Sequence, residues 1–158
     1  MKPLMVSYSD INGGASRAAY RLHKAFRRQD IDSKMMVSMK SSGDPDVIGP
    51  KSKMAKASAI LLPYISGKIT KLQQTSNTVL HSLNIFPTGM YARINKSDAD
   101  VVNLHWINHE TVSVEQVGHI KKPVVFTLHN MWAFCGAEHY CGDHTGARFI
   151  ERYETFNR

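Results

Sequence analysis

The sequence predicts an α/β fold, with a mostly parallel, doubly wound sheet and helices on both faces, and two observations carry that prediction. Apolar runs of strand length occur at "PLMVSY", "KMMVSM", "DADVVNLH" and "KKPVVFTLH". Stretches with helical spacing lie between them, and strands that alternate with helices favour right-handed crossovers into a parallel sheet.

Taken in order, Pro3–Tyr8 reads as a buried strand. After Gly13 and Gly14, Ala15, Ala18, Ala19, Leu22 and Phe26 recur on one face of an amphipathic helix, with Arg17, Arg21, Lys24 and Arg28 as a basic stripe. Asp30–Ser33 breaks that helix, and Lys34–Met39 is a second strand. "KSSGDPDVIGPKSK" is a loop by its Gly, Pro and Ser content. Met54–Gln74 is helical, with a break or kink expected at Pro63. Ser76–Asn95 has no clean period, and its "FPTGM" suggests a loop. A third strand is expected over Asp100–His105, then a short helix over Val112–Ile120 with Ser113 as its cap and Glu115 in its first turn. Lys121–His129 is a fourth strand, Asn130–Ala147 a loop, and Phe149–Phe156 the start of another helix.

Composition narrows the class of protein. The chain has 158 residues, 42% of them hydrophobic and 21% charged, which suits a folded chain with one core. No apolar run approaches the roughly 20 residues that span a bilayer. "MKPLMVSY" lacks the pattern of a signal peptide, so a cytoplasmic location is expected. The net charge of +7 favours anionic partners: nucleotide diphosphates, nucleic acid or an acidic membrane surface. Cys135 and Cys141 are expected to be reduced thiols.

In a parallel α/β sheet, ligands bind beyond the carboxyl ends of the strands. Gly13-Gly14, His105-Trp106 and His129-Asn130 each follow a strand directly, so all three are expected to line one crevice. The two glycines precede a helix whose free N–H groups and dipole favour an anion, and Arg17 can add a charge-assisted contact. The same glycines also suit a plain tight turn, and "DINGGASR" matches neither a dinucleotide fingerprint nor a Walker loop. A histidine followed by tryptophan at a strand end can bond a sugar hydroxyl while the indole covers the sugar's apolar face; a satisfied histidine beside a half-buried tryptophan is the plainer alternative. In "MWAFCGAEHYCGDH", Cys135, His139, Cys141 and His144 are ligand types that zinc accepts, but their spacing matches no familiar zinc module. The plainer reading is an aromatic-rich loop over the crevice mouth, with Glu138 and His139 toward substrate.

Together and in order, "SYSDINGGASRAAYRLHKAF", "ADVVNLHWIN" and "KKPVVFTLHNMWAFCGAEHYC" resemble the amino-terminal half of family 4 glycosyltransferases. The likeness is strongest to bacterial enzymes of colanic acid and related exopolysaccharide or O-antigen assembly. It covers about residues 4–39 and 98–142. It implies a GT-B architecture of two Rossmann-like domains, the first receiving the acceptor and the second holding the nucleotide-sugar. It also implies transfer with retention of anomeric configuration, with no metal and no cofactor. Carried over by residue, Gly13 and Gly14 would bind the donor diphosphate, and His129 and His105 would lie at the transferred sugar as catalytic residues; Arg17, by its charge and its place early in the helix, is expected to join the two glycines at the diphosphate. From their places at the crevice, Trp106, Asn130, Trp132, Glu138 and His139 are expected to contact acceptor or sugar. The sequence departs from the family in three places. Asn130 stands where Asp is common, Cys135 and Ala137 replace a Thr-Gly-Gly type run, and Glu138 takes the place of a cysteine.

Residues 1–158 therefore read as an incomplete acceptor-side domain, without the donor-binding domain and its paired glutamates. Alone it is expected to transfer no sugar. Expected partners are a nucleotide-sugar donor, a saccharide or lipid-linked acceptor and, peripherally, an anionic inner membrane, but no nucleic acid. The competing readings are a non-catalytic module for nucleotide or nucleic acid, and a zinc-dependent hydrolase built on the histidines.

Overall fold

Five strands form one all-parallel sheet in the order β3-β2-β1-β4-β5. In chain order the elements are β1 (Pro3–Ser9), α1 (Gly14–Arg28), β2 (Lys34–Met39), β3 (Val47–Ile48), α2 (Lys53–Thr70), α3 (Met90–Lys96), β4 (Val101–Leu104), α4 (Val114–Val117) and β5 (Val124–Phe126). The structure is a computed structural model and describes residues 1–72 and 78–140. Cys141, His144 and the helix expected over Phe149–Phe156 lie outside the described residues.

The central strand β1 pairs with β2 on one side and β4 on the other, with Leu4 opposite both Lys34 and Val102. A strand flanked this way has both faces covered, which is why it reads as a nearly continuous apolar run. Its side chains alternate between two cores. Leu4 and Val6 join Met90 and Ile94 of α3, with Val102, Leu104 and Trp132. Met5 joins Ala19 of α1, with Met35, Val37 and Val47. Helices thus cover both faces, and the fold is a Rossmann-like doubly wound α/β fold. The chain leaves β1 toward β2 and later returns on β1's other side as β4. That reversal puts the topological switch point at the carboxyl ends of β1 and β4.

The predicted strands appear in place, although the last two are shorter, Val101–Leu104 and Val124–Phe126. Four local expectations need correction. The loop expected after β2 contains β3, two residues that pair Val47 with Met35 and Ile48 with Met36, too few to show an apolar period. The unpatterned stretch before Asn95 contains α3, whose seven residues bury only Met90 and Ile94. In α1 the buried line is Ser16, Ala19 and His23, and Ala18 is exposed. The line includes a histidine because His23 Nδ1 meets Ser33 Oγ at 3.0 Å, a pairing that no hydrophobic pattern reveals. Finally, α2 runs through Pro63 without ending.

Among the described residues, no helix is long and apolar enough to cross a membrane.

Candidate functional site

Past Ser9, β1 leads into a loop tied down by Asp10. This buried carboxylate accepts from the backbone N–H of Ile11 (3.0 Å), Ser41 (3.0 Å) and Ser42 (2.8 Å), so it joins the loop after β1 to the loop after β2. Burial would raise its pKa, but the donors from Ser42 and Ser41 outweigh that and lower it. With the loop fixed, Gly13 takes φ 92° and ψ 164°, a region almost reserved for glycine, and starts α1. No side chain caps α1 and no acidic residue lies in its first turn. Its first backbone bond runs from Arg17 N–H to the Gly13 carbonyl at 3.1 Å, leaving the preceding N–H groups without helical partners.

The neighbouring strand end supplies aromatic rings. β4 continues beside β1 beyond its named span, with His105 N–H donating to the Val6 carbonyl and Tyr8 N–H to the Trp106 carbonyl, both at 2.9 Å. Tyr8, Trp106 and His109 then pack edge to face, His109 lying 4.6 Å from Trp106 and 4.8 Å from Tyr8 between ring centres. His109 has φ 54°, and burial lowers its pKa.

The loop after β5 closes the far side. Asn130 Oδ1 accepts from Trp132 N–H at 3.1 Å, and Asn130 Nδ2 donates to His139 Nδ1 at 2.6 Å. His139 Nε2 pairs with Ser82 Oγ at 2.8 Å, and His139 N–H donates to the Leu80 carbonyl at 2.9 Å. The 80–82 stretch therefore holds this loop. Burial first, with His109 and His81 adding, pushes the His139 imidazole down to about 4, so it is neutral at pH 7.

These three walls enclose a cavity of about 480 Å³, whose lining includes Gly13, Gly14, Trp106, His129, Asn130 and His139. His105 is not in its wall. It lies behind His129, 3% exposed, with its Nδ1 3.0 Å from His129 Nε2. Burial lowers both pKa values, His105 to about 4, so both rings are neutral at pH 7. The other nitrogen, His105 Nε2, is buried without a partner. An orphaned N–H is costlier than an orphaned lone pair, so Nδ1 of His105 is the protonated nitrogen and donates to His129. His129 then carries its own proton on Nδ1. It is a donor, fixed in that tautomer by the histidine behind it.

Three other predicted site residues are not in the cavity lining. Arg17 turns its Nε to the Ile11 carbonyl at 3.1 Å and braces the loop. Trp132 is buried in the core, its indole N–H on the Ser82 carbonyl at 2.8 Å. Glu138 lies 3.8 Å from His81, and the two residues form an isolated bridge. Conversely, sequence reading missed Tyr8, Asn12, Leu80, His109 and Tyr140 in the lining. Tyr8 ends a predicted strand, so the strand-end rule could have found it. His109 and Leu80 sit in loops without a pattern, and nothing in the sequence marks them.

Among the described residues, His23, Asp44 and Asp46 are the one group of three side chains close enough to share a metal ion. Asp44 already accepts from Lys24 (3.0 Å) and Tyr20 (2.9 Å), and Asp46 pairs with Arg27 at 3.2 Å. Two cations already neutralise two carboxylates there, and the group reads as an ion-pair network.

No family model, curated protein or solved structure matches this chain. What the structure defines is the class: a Rossmann-like α/β protein with a helix N-terminus and an imidazole facing one cavity at the sheet's switch point.

Proposed function

We propose that this chain is the acceptor-side, amino-terminal part of a retaining glycosyltransferase that moves a sugar from a nucleotide-sugar to a saccharide or lipid-linked acceptor. One observation carries the reading: the uncapped N-terminus of α1 and the His129 ring line the same switch-point cavity. A diphosphate at the α1 terminus would meet unpaired N–H groups and the positive end of the helix dipole. Those groups stabilise the charge that grows on the leaving phosphate as the bond from the anomeric carbon to its oxygen breaks. His129, held as an N–H donor, bonds a hydroxyl of the transferred sugar and serves as a positioning and electrostatic group. Tyr8 and Trp106 offer ring faces and edges to the sugar. The nucleotide end of the donor would rest on a second domain, as the family resemblance implies.

The test uses the complete enzyme that contains this sequence, with nucleotide-sugars as donors. Replacing His129 by Ala is expected to lower kcat roughly 10²-fold, the usual scale for one charge-stabilising donor. Residues 1–158 alone are expected to show no transfer. Unchanged turnover in His129→Ala, or transfer by residues 1–158 alone, would contradict the proposal. Strongly salt-dependent binding of DNA or RNA, with none of nucleoside diphosphate, would favour a nucleic-acid module instead.

A further inference from the structure

The amino ends of the strands carry a second cavity, of about 440 Å³, whose lining shares no residue with that of the switch-point cavity. Its origin is a mismatch of lengths. At about 1.5 Å per residue the seven residues of α3 cover roughly 10 Å, whereas the seven of β1 run roughly 23 Å. Helix α3 therefore cannot cover the whole of its face of the sheet, and Leu4, Met36, Ile48 and Ala99 at the edge of that core line the hollow. Around these apolar groups stand five cations against two carboxylates. Both carboxylates are already engaged: Asp98 with Lys2 at 2.9 Å and Lys34 at 3.7 Å, and Asp32 with Arg27, outside the lining, at 3.3 Å. The other three cations, Lys51, Arg93 and Lys96, are in no ion pair among the described residues. Arg93 is half-buried, its Nη2 donates to the Gly49 carbonyl at 2.9 Å, and burial lowers its pKa by disfavouring the charged form. A guanidinium held by one carbonyl keeps N–H donors for another acceptor. Arg93 and Lys96 also lie in the last turn of α3, where cations suit the helix dipole. That accounts for their place on the helix, but not for Lys51 on the segment after β3.

We propose that this cavity binds an organic phosphate monoester, its phosphate between Lys51, Arg93 and Lys96 and its apolar body against Leu4, Met36 and Ile48. The volume is in the usual range for a small ligand. A monoester carries close to two negative charges at pH 7 and three acceptor oxygens, which suits an excess of cations that includes a guanidinium fork. Inorganic phosphate would leave the apolar lining in water. A nucleic acid would carry its row of phosphates past Asp32 and Asp98 as well, where like charges repel. The site lies at the opposite end of the sheet from the switch-point cavity and does not rest on the sugar-transfer reading.

Calorimetric titration of the protein with phenyl phosphate tests this, with inorganic phosphate and phenol as the two halves of the probe. The whole probe is expected to bind, and each half at least roughly tenfold more weakly. The variant K51Q/K96Q is expected to lose roughly tenfold in affinity for phenyl phosphate. Its far-UV circular dichroism and thermal melting should be unchanged, because both lysines are exposed. The variant G14A, altered at the switch-point cavity, is expected to bind the probe as the parent does. Absence of binding, equal binding of inorganic phosphate, or unchanged affinity in K51Q/K96Q would overturn the proposal. Affinity lost in G14A would place the probe in the switch-point cavity and overturn it too. Binding of a ribo-oligonucleotide that K51Q/K96Q weakens, with none of phenyl phosphate, would overturn it in favour of nucleic acid.

Discussion

Gly13 and Gly14 are adjacent, yet they are glycines for different reasons. Gly13 has φ 92°, which an L side chain rarely adopts, so the chain itself requires glycine there. Gly14 is helical, and a Cβ added to it would meet nothing within 4 Å. Nothing in the chain requires glycine there, and under the proposed function the open face would admit a diphosphate. Gly13→Ala is therefore expected to destabilise the fold by about 1–3 kcal/mol, the cost of that backbone region. Gly14→Ala is expected to leave stability unchanged or slightly raised, since Ala is the better helix former, while nucleoside diphosphate affinity falls roughly tenfold, about 1.4 kcal/mol. Urea denaturation and calorimetric titration separate the two effects. Equal loss of stability in both variants would remove the assignment of Gly14 to a ligand. At the same scale, His105 and His129 were legible as strand-end residues but not as a pair. Their tautomers follow from the buried, unpartnered Nε2 of His105, which only coordinates reveal.

Among the elements, the loops after β1 and β2 depend on one side chain. Asp10 is separated by about 30 residues from Ser41 and Ser42, whose N–H groups it accepts, and the sequence offers no sign of that pairing. Asp10→Ala would strand those donors in a partly buried site. It is expected to cost about 2–3 kcal/mol and to speed amide hydrogen exchange at Ser41 and Ser42. Exchange unchanged at those two positions would show that the latch is not needed. Pro63 teaches a related lesson. A proline inside a helix removes the N–H that would bond the carbonyl four residues earlier. That carbonyl belongs to Ala59, and the Tyr8 hydroxyl approaches it at 3.5 Å. Of the break or kink expected at Pro63, the break does not occur, and the carbonyl the proline leaves without its helical donor has the Tyr8 hydroxyl nearby. Helix α2 also shows why a helical apolar line need not be a core line: Met54, Leu61 and Tyr64 are exposed, while Ala55, Ala59 and Ser66 are at least partly buried.

For the whole molecule, buried neutral histidines couple stability to pH. His105 and His139 titrate near 4 in the fold against an ordinary 6.5, mainly because burial disfavours their charged forms. The unfolded chain takes up those protons first. Stability is therefore full above about pH 6.5 and falls as pH drops from there toward about 4, by roughly 1.4 kcal/mol per pKa unit per histidine at most. Asp44 acts in a lower window. Burial raises its pKa, but bonds from Lys24, the Asp46 N–H and Tyr20 outweigh that and hold it at about 2, against 3.8. Its contribution is complete above about 4 and is lost as pH falls toward 2. Urea denaturation at a series of pH values should show the histidine decline first and the carboxylate decline below it. Constant stability between about pH 7 and 4.5 would contradict the burial of these imidazoles.

Sequence patterns alone were enough for the parallel α/β class, the positions of the main strands, and the three strand ends that carry glycine, histidine, tryptophan and asparagine. They were enough because strand burial and turn chemistry are local and leave periodic or compositional traces. Only tertiary contacts show that His105 stands behind His129, that Arg17, Trp132 and Glu138 are not in the cavity lining, and that Tyr8 and His109 are. Those outcomes depend on contacts between residues distant in sequence, where a satisfied polar group and a reactive one are spelled with the same letters.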